Sequence, residues 1–221
     1  MAERIGVMGG TFDPVHIGHL RVAEEALELL RLDSMLFIPA AVPPHKTART
    51  IPAFEHRERM LRLAVGDNPR FRVSDIERRL PGKSYTVVTL RALHEEFPGC
   101  ELHFLVGMDA FLELDTWWRY KELFELAHLA VMRRPGYEWR EAGRFLSERI
   151  SSGYAPDAAT GGYRHASLLP VRLLENSALG VSSTHIRELI ATGRSIRYLV
   201  VPEVMRYINE KKLYHAGSSP G

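Results

Sequence analysis

The sequence is poor in cysteine. Cys100 stands alone among 221 residues, so neither an internal disulfide nor a Cys-rich zinc site can form. A single thiol suits a reducing compartment, and a cytoplasmic location is expected. Charge of one sign is also missing. Lys and Arg number 29 against 27 Asp and Glu, a formal balance of +2. That excludes a general polycation wrapped on nucleic acid and leaves room for a local basic pocket. No apolar run is long enough to cross a bilayer, because charges interrupt all but strand-sized stretches. The opening MAERIGVMGG carries Glu3 and Arg4 and no apolar core, so a secretory leader is not expected. Internal repeats, low-complexity tracts and Gly/Ser linkers are absent too. With 45% apolar and 25% charged residues, wholesale disorder is excluded.

What is present is an alternation of short apolar runs with segments of helical period. Strands are expected at Arg4–Met8, Ser34–Pro39, Phe71–Val73, Glu101–Val106, His128–Met132 and Ser167–Leu173. Helices are expected at His19–Leu32, Glu55–Val65, Ser84–Phe97, Thr116–Ala127, Tyr137–Ile150, Ser182–Thr192 and Pro202–Leu213. In the first helix Leu20, Ala23, Leu27 and Leu30 share one side. Strands separated by helices of this length indicate a parallel α/β sheet of Rossmann type, with helices on both faces. One domain over residues 1–215 is expected, with 216–221 a disordered tail. Residues 40–53 read as a Pro-rich basic loop. Ser151–His165 is the one other long stretch that reads as a loop.

Three patterns are decoys. Pro81-Gly82-Lys83-Ser84 resembles the end of a phosphate-binding P-loop, but Glu77 stands where the leading glycine is required. Gly217–Gly221 fits a nucleophile elbow only in letters, since no helix follows it. His16 and His19 have a spacing that two zinc ligands can use, but nothing nearby completes a site. No protein-held metal is expected.

The informative stretch is Gly9-Gly10-Thr11-Phe12-Asp13-Pro14-Val15-His16-Ile17-Gly18-His19-Leu20. It joins the first strand to the first helix. In open parallel sheets, ligands bind beyond the carboxyl ends of strands, beside helix N-termini. Paired glycines let backbone approach a ligand closely. A helix N-terminus flanked by two imidazoles offers dipole, backbone N–H and ring N–H donors to a polyphosphate. Taken singly, each feature fits an ordinary turn with surface histidines. Together within twelve residues they point to a nucleotide site.

GGTFDPVHIGHL resembles the signature of the nucleotidyltransferases with an HxGH motif, and among them the bacterial nicotinate-nucleotide adenylyltransferases. The resemblance runs along most of the chain. Pro43-Pro44-His45-Lys46 is similar to the family's basic loop, Lys83-Ser84-Tyr85-Thr86 to its SYT element, and Gly107-Met108-Asp109 with Trp117-Trp118 to its GxD…W region. Arg133-Arg134-Pro135-Gly136 and Val181-Ser182-Ser183-Thr184-His185-Ile186-Arg187 match two further signatures. His16-Ile17-Gly18-His19 is also the HIGH tetrad of class I aminoacyl-tRNA synthetases. The chain is too short for their tRNA-binding parts, however, and no KMSKS-like loop is present.

The resemblance implies transfer of AMP from ATP to nicotinate mononucleotide, giving deamido-NAD and pyrophosphate, with Mg²⁺ arriving on ATP. It implies catalytic roles for His16, His19, Lys46 and Arg187. ATP contacts would come from Gly9, Gly10, Thr11, Phe12, His16, Gly18, His19, Ser183, Thr184 and Arg187. Mononucleotide contacts would come from Lys46, Tyr85, Thr86, Asp109, Trp117 and Arg134. Bland readings stand beside these: either tryptophan as core packing, Asp109 as a helix cap, Arg133 or Arg134 as a solvated strand end. Sibling transferases acting on nicotinamide mononucleotide, phosphopantetheine or a glycerol phosphate are the neighbouring alternatives. A non-catalytic nucleotide-binding module is the alternative of another class.

Overall fold

The computed structural model describes residues 2–43, 51–177 and 179–215. Lys46 and the 216–221 tail therefore lie outside the described residues. Three strands lead the chain: β1 (Arg4–Gly10), β2 (Ser34–Pro39) and β3 (Phe71–Val73). Next come β4 (Glu101–Gly107), β5 (His128–Met132), β6 (Ala155–Asp157), β7 (Gly162–Arg164) and β8 (Val171–Leu174). They form one sheet in the order β3-β2-β1-β4-β5-β8-β7-β6. The chain leaves β1 toward β2 on one side and returns on the other side at β4, so a crevice opens between the carboxyl ends of β1 and β4.

Helices cover both faces. On one lie α1 (Ile17–Leu29), α2 (Phe54–Val65), α8 (Ser183–Ala191) and α9 (Pro202–Glu210). On the other lie α3 (Ile76–Arg79), α4 (Thr86–Glu96), α5 (Met108–Phe111), α6 (Leu123–Leu126) and α7 (Trp139–Phe145). The period of two along each strand sorts the side chains between them. In β1, Met8 joins the core under α1 and α2, while Ile5 and Val7 join the core under α4 and α5. β2 is buried along its whole length, as a central strand covered on both faces must be.

The structure departs from the sequence-based expectations in two places. The sheet is parallel only from β3 to β8. Residues 151–165 are not a loop excursion: β6 and β7 form an antiparallel hairpin, joined to β8 through Tyr163 opposite Val171. The helix expected at Thr116–Ala127 is broken. It becomes 3₁₀ turns at Leu114–Thr116 and Tyr120–Glu122 followed by the short α6. Arg119 between them adopts a left-handed φ of 54°, and Trp117 is extended, so an α-helix cannot run through.

Candidate active site

The turn after β1 is built from buried residues. Phe12 takes a left-handed φ of 50° and is 3% exposed. Its ring meets His19 edge-on at 5.1 Å, so the side chain belongs to the core and props the histidine. The peptide Asp13–Pro14 is cis. His16 caps α1 with extended backbone, and its N–H donates to His19 Nδ1 at 3.2 Å. With Nδ1 accepting, neutral His19 carries its proton on Nε2, ready to donate. The two rings stack with centroids 3.7 Å apart. Gly18 makes room for this: a Cβ there would stand 3.0 Å from His16 Nδ1.

Burial, then the positive charge of Arg134, lowers His16 to about 4. Burial, then His16 and Arg134, holds His19 well below the ordinary imidazole range. Both rings are therefore neutral donors at pH 7. An arriving polyphosphate would favour their charged forms.

Three further elements converge on the turn. From α8, Ser182 caps the helix by accepting from the His185 N–H. Ser183 donates its hydroxyl to Pro14 O at 2.8 Å. Arg187 donates to Asp13 O at 2.6 Å and to Thr184 Oγ1 at 3.2 Å. Arg187 is thus brought to the turn as expected, but part of its hydrogen bonding holds the turn itself. Beyond β5, the two arginines separate. Arg133 pairs with Glu175 at 2.9 Å, whereas Arg134 reaches Asp109 at 3.4 Å and lies close enough to act on both histidines. Gly107 keeps that place open, since a Cβ would lie 2.9 Å from Arg134 Nε. Asp109 sits within the first turn of α5, whose N-cap is Gly107, so Asp109 is not the cap.

A cavity of about 560 Å³ fills the crevice. Gly9, Gly10 and Thr11 line it together with Tyr85, Thr86, Trp117 and Trp118, whereas His16, His19, Asp109, Arg134 and Arg187 are not among its lining residues. Trp117 stands edge-on to Phe104 at 6.4 Å. Trp118 is 48% exposed, rests on Tyr85 at 5.0 Å and is not core. Tyr85 N–H is bonded to Lys83 O, and the Val88 and Thr89 N–H groups to Tyr85 O. The first-turn N–H groups of Thr86 and Val87 therefore have no acceptor within the helix, and α4 presents donors where Thr86 lines the cavity.

Several lining residues were missed from sequence. Glu77 and Thr89 lie on the cavity wall beside Lys83 and Ser84 of the SYT element. The Glu77 carboxylate accepts from Thr89 Oγ1 at 2.8 Å and from Ala41 N–H at 3.3 Å. Burial pushes it up against the opposing hydrogen bonds from Ser84, Thr89 and Ala41. Adjacency to the SYT element was the available signal. Arg57 was also missed. It stands one helical turn before Met60 and Leu61 on the buried stripe of α2, a charge where the pattern calls for an apolar side chain. Among the described residues, no group of three or more His, Cys, Asp or Glu could hold a metal ion. No helix there is long and apolar enough to cross a membrane.

The model of the cytidylyltransferase-like family matches residues 7–189. A relative from Trichlorobacter lovleyi, named probable nicotinate-nucleotide adenylyltransferase, is 46% identical over 211 residues, covering 96% of this chain and 99% of that one. One of the same name from Syntrophotalea carbinolica is 45% identical over 213 residues, covering 96% and 98%. Among solved structures, Plasmodium falciparum nicotinic acid mononucleotide adenylyltransferase complexed with NaAD superposes with a TM-score of 0.72. It covers 96% of this chain and 97% of that one at 17% identity, a likeness of fold.

Proposed function

We infer that this chain, which belongs to the family of nicotinate-nucleotide adenylyltransferases, transfers the adenylyl group of ATP to nicotinate mononucleotide. The products are deamido-NAD and pyrophosphate, and the reaction belongs to NAD biosynthesis. One observation carries the site assignment. A single cavity is lined by the glycine turn together with the α4 N-terminus and Trp117. That pairing supports reading a phosphate end, beside the histidine turn, and an aromatic-ring end in one site.

In the reaction a phosphate oxygen of the mononucleotide attacks the α-phosphorus of ATP. The bond from that phosphorus to the bridging oxygen breaks, and the electron pair leaves with pyrophosphate. No enzyme nucleophile is required, so rate comes from positioning and from neutralising charge. His19 donates from Nε2 to the phosphates, and His16 holds the His19 tautomer through its backbone N–H. Arg134 and Arg187 supply positive charge beside the turn. Gly9, Gly10, Thr11 and Gly18 let backbone come close, while Ser183 and Thr184 start α8 there. Lys46 is assigned to the phosphates of both substrates by its motif alone. Mg²⁺ enters as part of the ATP substrate, held by phosphate oxygens and water.

At the other end Trp117 stacks on the pyridine ring, beside Tyr85. The Thr86 and Val87 N–H groups meet the ring carboxylate, and Asp109 accepts from ribose hydroxyls. A nicotinamide ring would set an NH₂ donor against these donors. Leaving buried donors unpaired costs roughly 1–3 kcal/mol each, which selects for the acid. The test is pyrophosphate release from MgATP with nicotinate mononucleotide, nicotinamide mononucleotide and phosphopantetheine in separate assays. Fast release with the first is expected; fast release with only one of the other two would overturn the assignment.

A further inference from the structure

Arg57 is 1% exposed, yet it carries a full charge on the apolar stripe of α2. Burying a cation is costly unless it is paired and hydrogen-bonded. Its Nε donates to Pro52 O at 3.1 Å and its Nη1 to Thr11 O at 2.9 Å. Thr11 lies on the cavity wall, whereas Arg57 does not reach it. A third partner is electrostatic. Asp13, 2% exposed, is foremost among the charges that favour the Arg57 cation, ahead of the carboxylates of Glu77 and Glu55. Asp13 also meets Arg187, with Nη1 at 2.6 Å from its carbonyl and 3.5 Å from Oδ2. Tyr214 lies beside the same carboxylate, and burial together with Asp13 pushes its phenol far up, so it stays a neutral O–H donor. The buried carboxylate therefore contacts Arg187, which is partly exposed, and acts electrostatically on Arg57, which is sealed in the core.

We propose that Arg57 is a positioning residue for adenylyl transfer, fixing the Thr11 carbonyl and, with the buried Asp13 beside it, the turn that aims Arg187 at the ATP phosphates. The inference rests on the reaction given above. An apolar side chain of similar length would fill the same space at lower desolvation cost. It would leave Thr11 O without its donor and Asp13 with one cation instead of two. Because Arg57 touches neither substrate, its effect should be confined to the phosphate end of the cavity. The ring end is built on α4 and the Trp117 turn, on the opposite face of the sheet.

The test uses the full chain with MgATP and nicotinate mononucleotide. Wild-type pyrophosphate release is measured first, which separates failure of the reaction from failure of the Arg57 role. Arg57→Lys keeps the charge and loses the two-point geometry, and Arg57→Met keeps the bulk and loses both. Arg57→Lys is expected to lower kcat and raise KM for ATP, together costing about 10²-fold in kcat/KM, the scale of an ångström of misplacement. KM for the mononucleotide should stay near wild type. If Arg57 acts through Arg187, the double variant Arg57→Lys/Arg187→Lys loses no more than the worse single variant. Wild-type kinetics for ATP in Arg57→Lys would overturn the proposal. So would losses that multiply in the double variant, or an equal rise in both KM values. Should Arg57→Met fail to fold, Arg57→Lys and the cycle still decide.

Discussion

Two pairs of stacked histidines sit at opposite ends of the same sheet. His16 and His19 lie beyond the carboxyl end of β1, with rings 3.7 Å apart. His103 and His128 face each other in register near the amino ends of β4 and β5, with rings 4.7 Å apart. Both pairs are held neutral. His103 is lowered to about 3 by burial, then by His128, Arg4 and Arg172; burial likewise lowers His128, with Glu101 opposing. A depressed pKa beside arginines is thus common to both pairs and distinguishes neither. The difference lies in His19, because His16 Nδ1 is as unpartnered among the described residues as the His103 nitrogens. Nδ1 of His19 accepts a backbone N–H, which fixes the proton on the other nitrogen and sets it at a helix N-terminus. Neither ring nitrogen of His103 has a hydrogen-bond partner among the described residues; Glu101 Oε2 is 3.8 Å away. One pair is anchored toward a crevice. The other is packed against the sheet.

Removing one ring from each pair gives the largest contrast. His19→Ala should lower kcat on the order of 10²–10³, the usual cost of losing one transition-state donor, with little change in stability. His128→Gln should leave kcat unchanged. Equal losses in steady-state assays of the two variants would erase the distinction. A smaller effect separates the two ends of the cavity. Trp117→Ala should weaken both nicotinate and nicotinamide mononucleotides by about 1–3 kcal/mol, as base–aromatic stacks do, and largely keep the preference between them. If kcat/KM for the two substrates becomes equal, Trp117 and not the α4 N–H groups is the selector.

The buried pair should announce itself in stability instead. An unfolded histidine titrates near 6.5, and folded His103 near 3. The stability its neutral ring contributes is complete above about 6.5 and drains away as pH falls toward 3, by ~1.4 kcal/mol per pH unit. His103→Gln should flatten urea-derived stability between pH 6.5 and 4.5 without altering kcat at pH 7.5. An unchanged acid slope would show that His103 is protonated in the folded chain. The smallest effect is steric. Gly18→Ala brings a Cβ to 3.0 Å from His16 Nδ1. A shift of a few tenths of an ångström should cost about tenfold in kcat/KM for ATP, well short of the loss from a full ångström.

The histidine turn was readable in advance because everything it needs is local. Gly9, Gly10, Gly18 and the two imidazoles lie within one strand-to-helix passage, and their chemistry follows from their types. Their supports were harder to read. Arg57 reaches Thr11 from 46 residues away, and only its place on the Met60–Leu61 stripe betrays it. Lys83 and Ser84 carry letters of both a truncated P-loop and the SYT element; what puts them on the cavity wall is Ser84 pairing with Val42, through both its N–H and its hydroxyl. The Trp117 turn failed as a helix because Arg119 takes a left-handed backbone that no periodicity reveals. The β6–β7 hairpin failed for another reason. Strands of three residues containing Pro156 and Gly162 look like loop, and they order only against a neighbour already in place.

That hairpin also governs how the chain behaves in a crowd. A wide parallel sheet is a hazard wherever a strand leaves its backbone N–H and C=O groups open to another molecule's strand. Here both margins are stubs: β3 at one side and β6 at the other have three residues each. Pro156 removes a donor from the outer one. The reversal of direction at β7 gives β8 a short partner in place of an open flank. The segment farthest from the chemistry thus acts as a selvedge, leaving little free edge from which copies of the chain could be stitched together at high concentration.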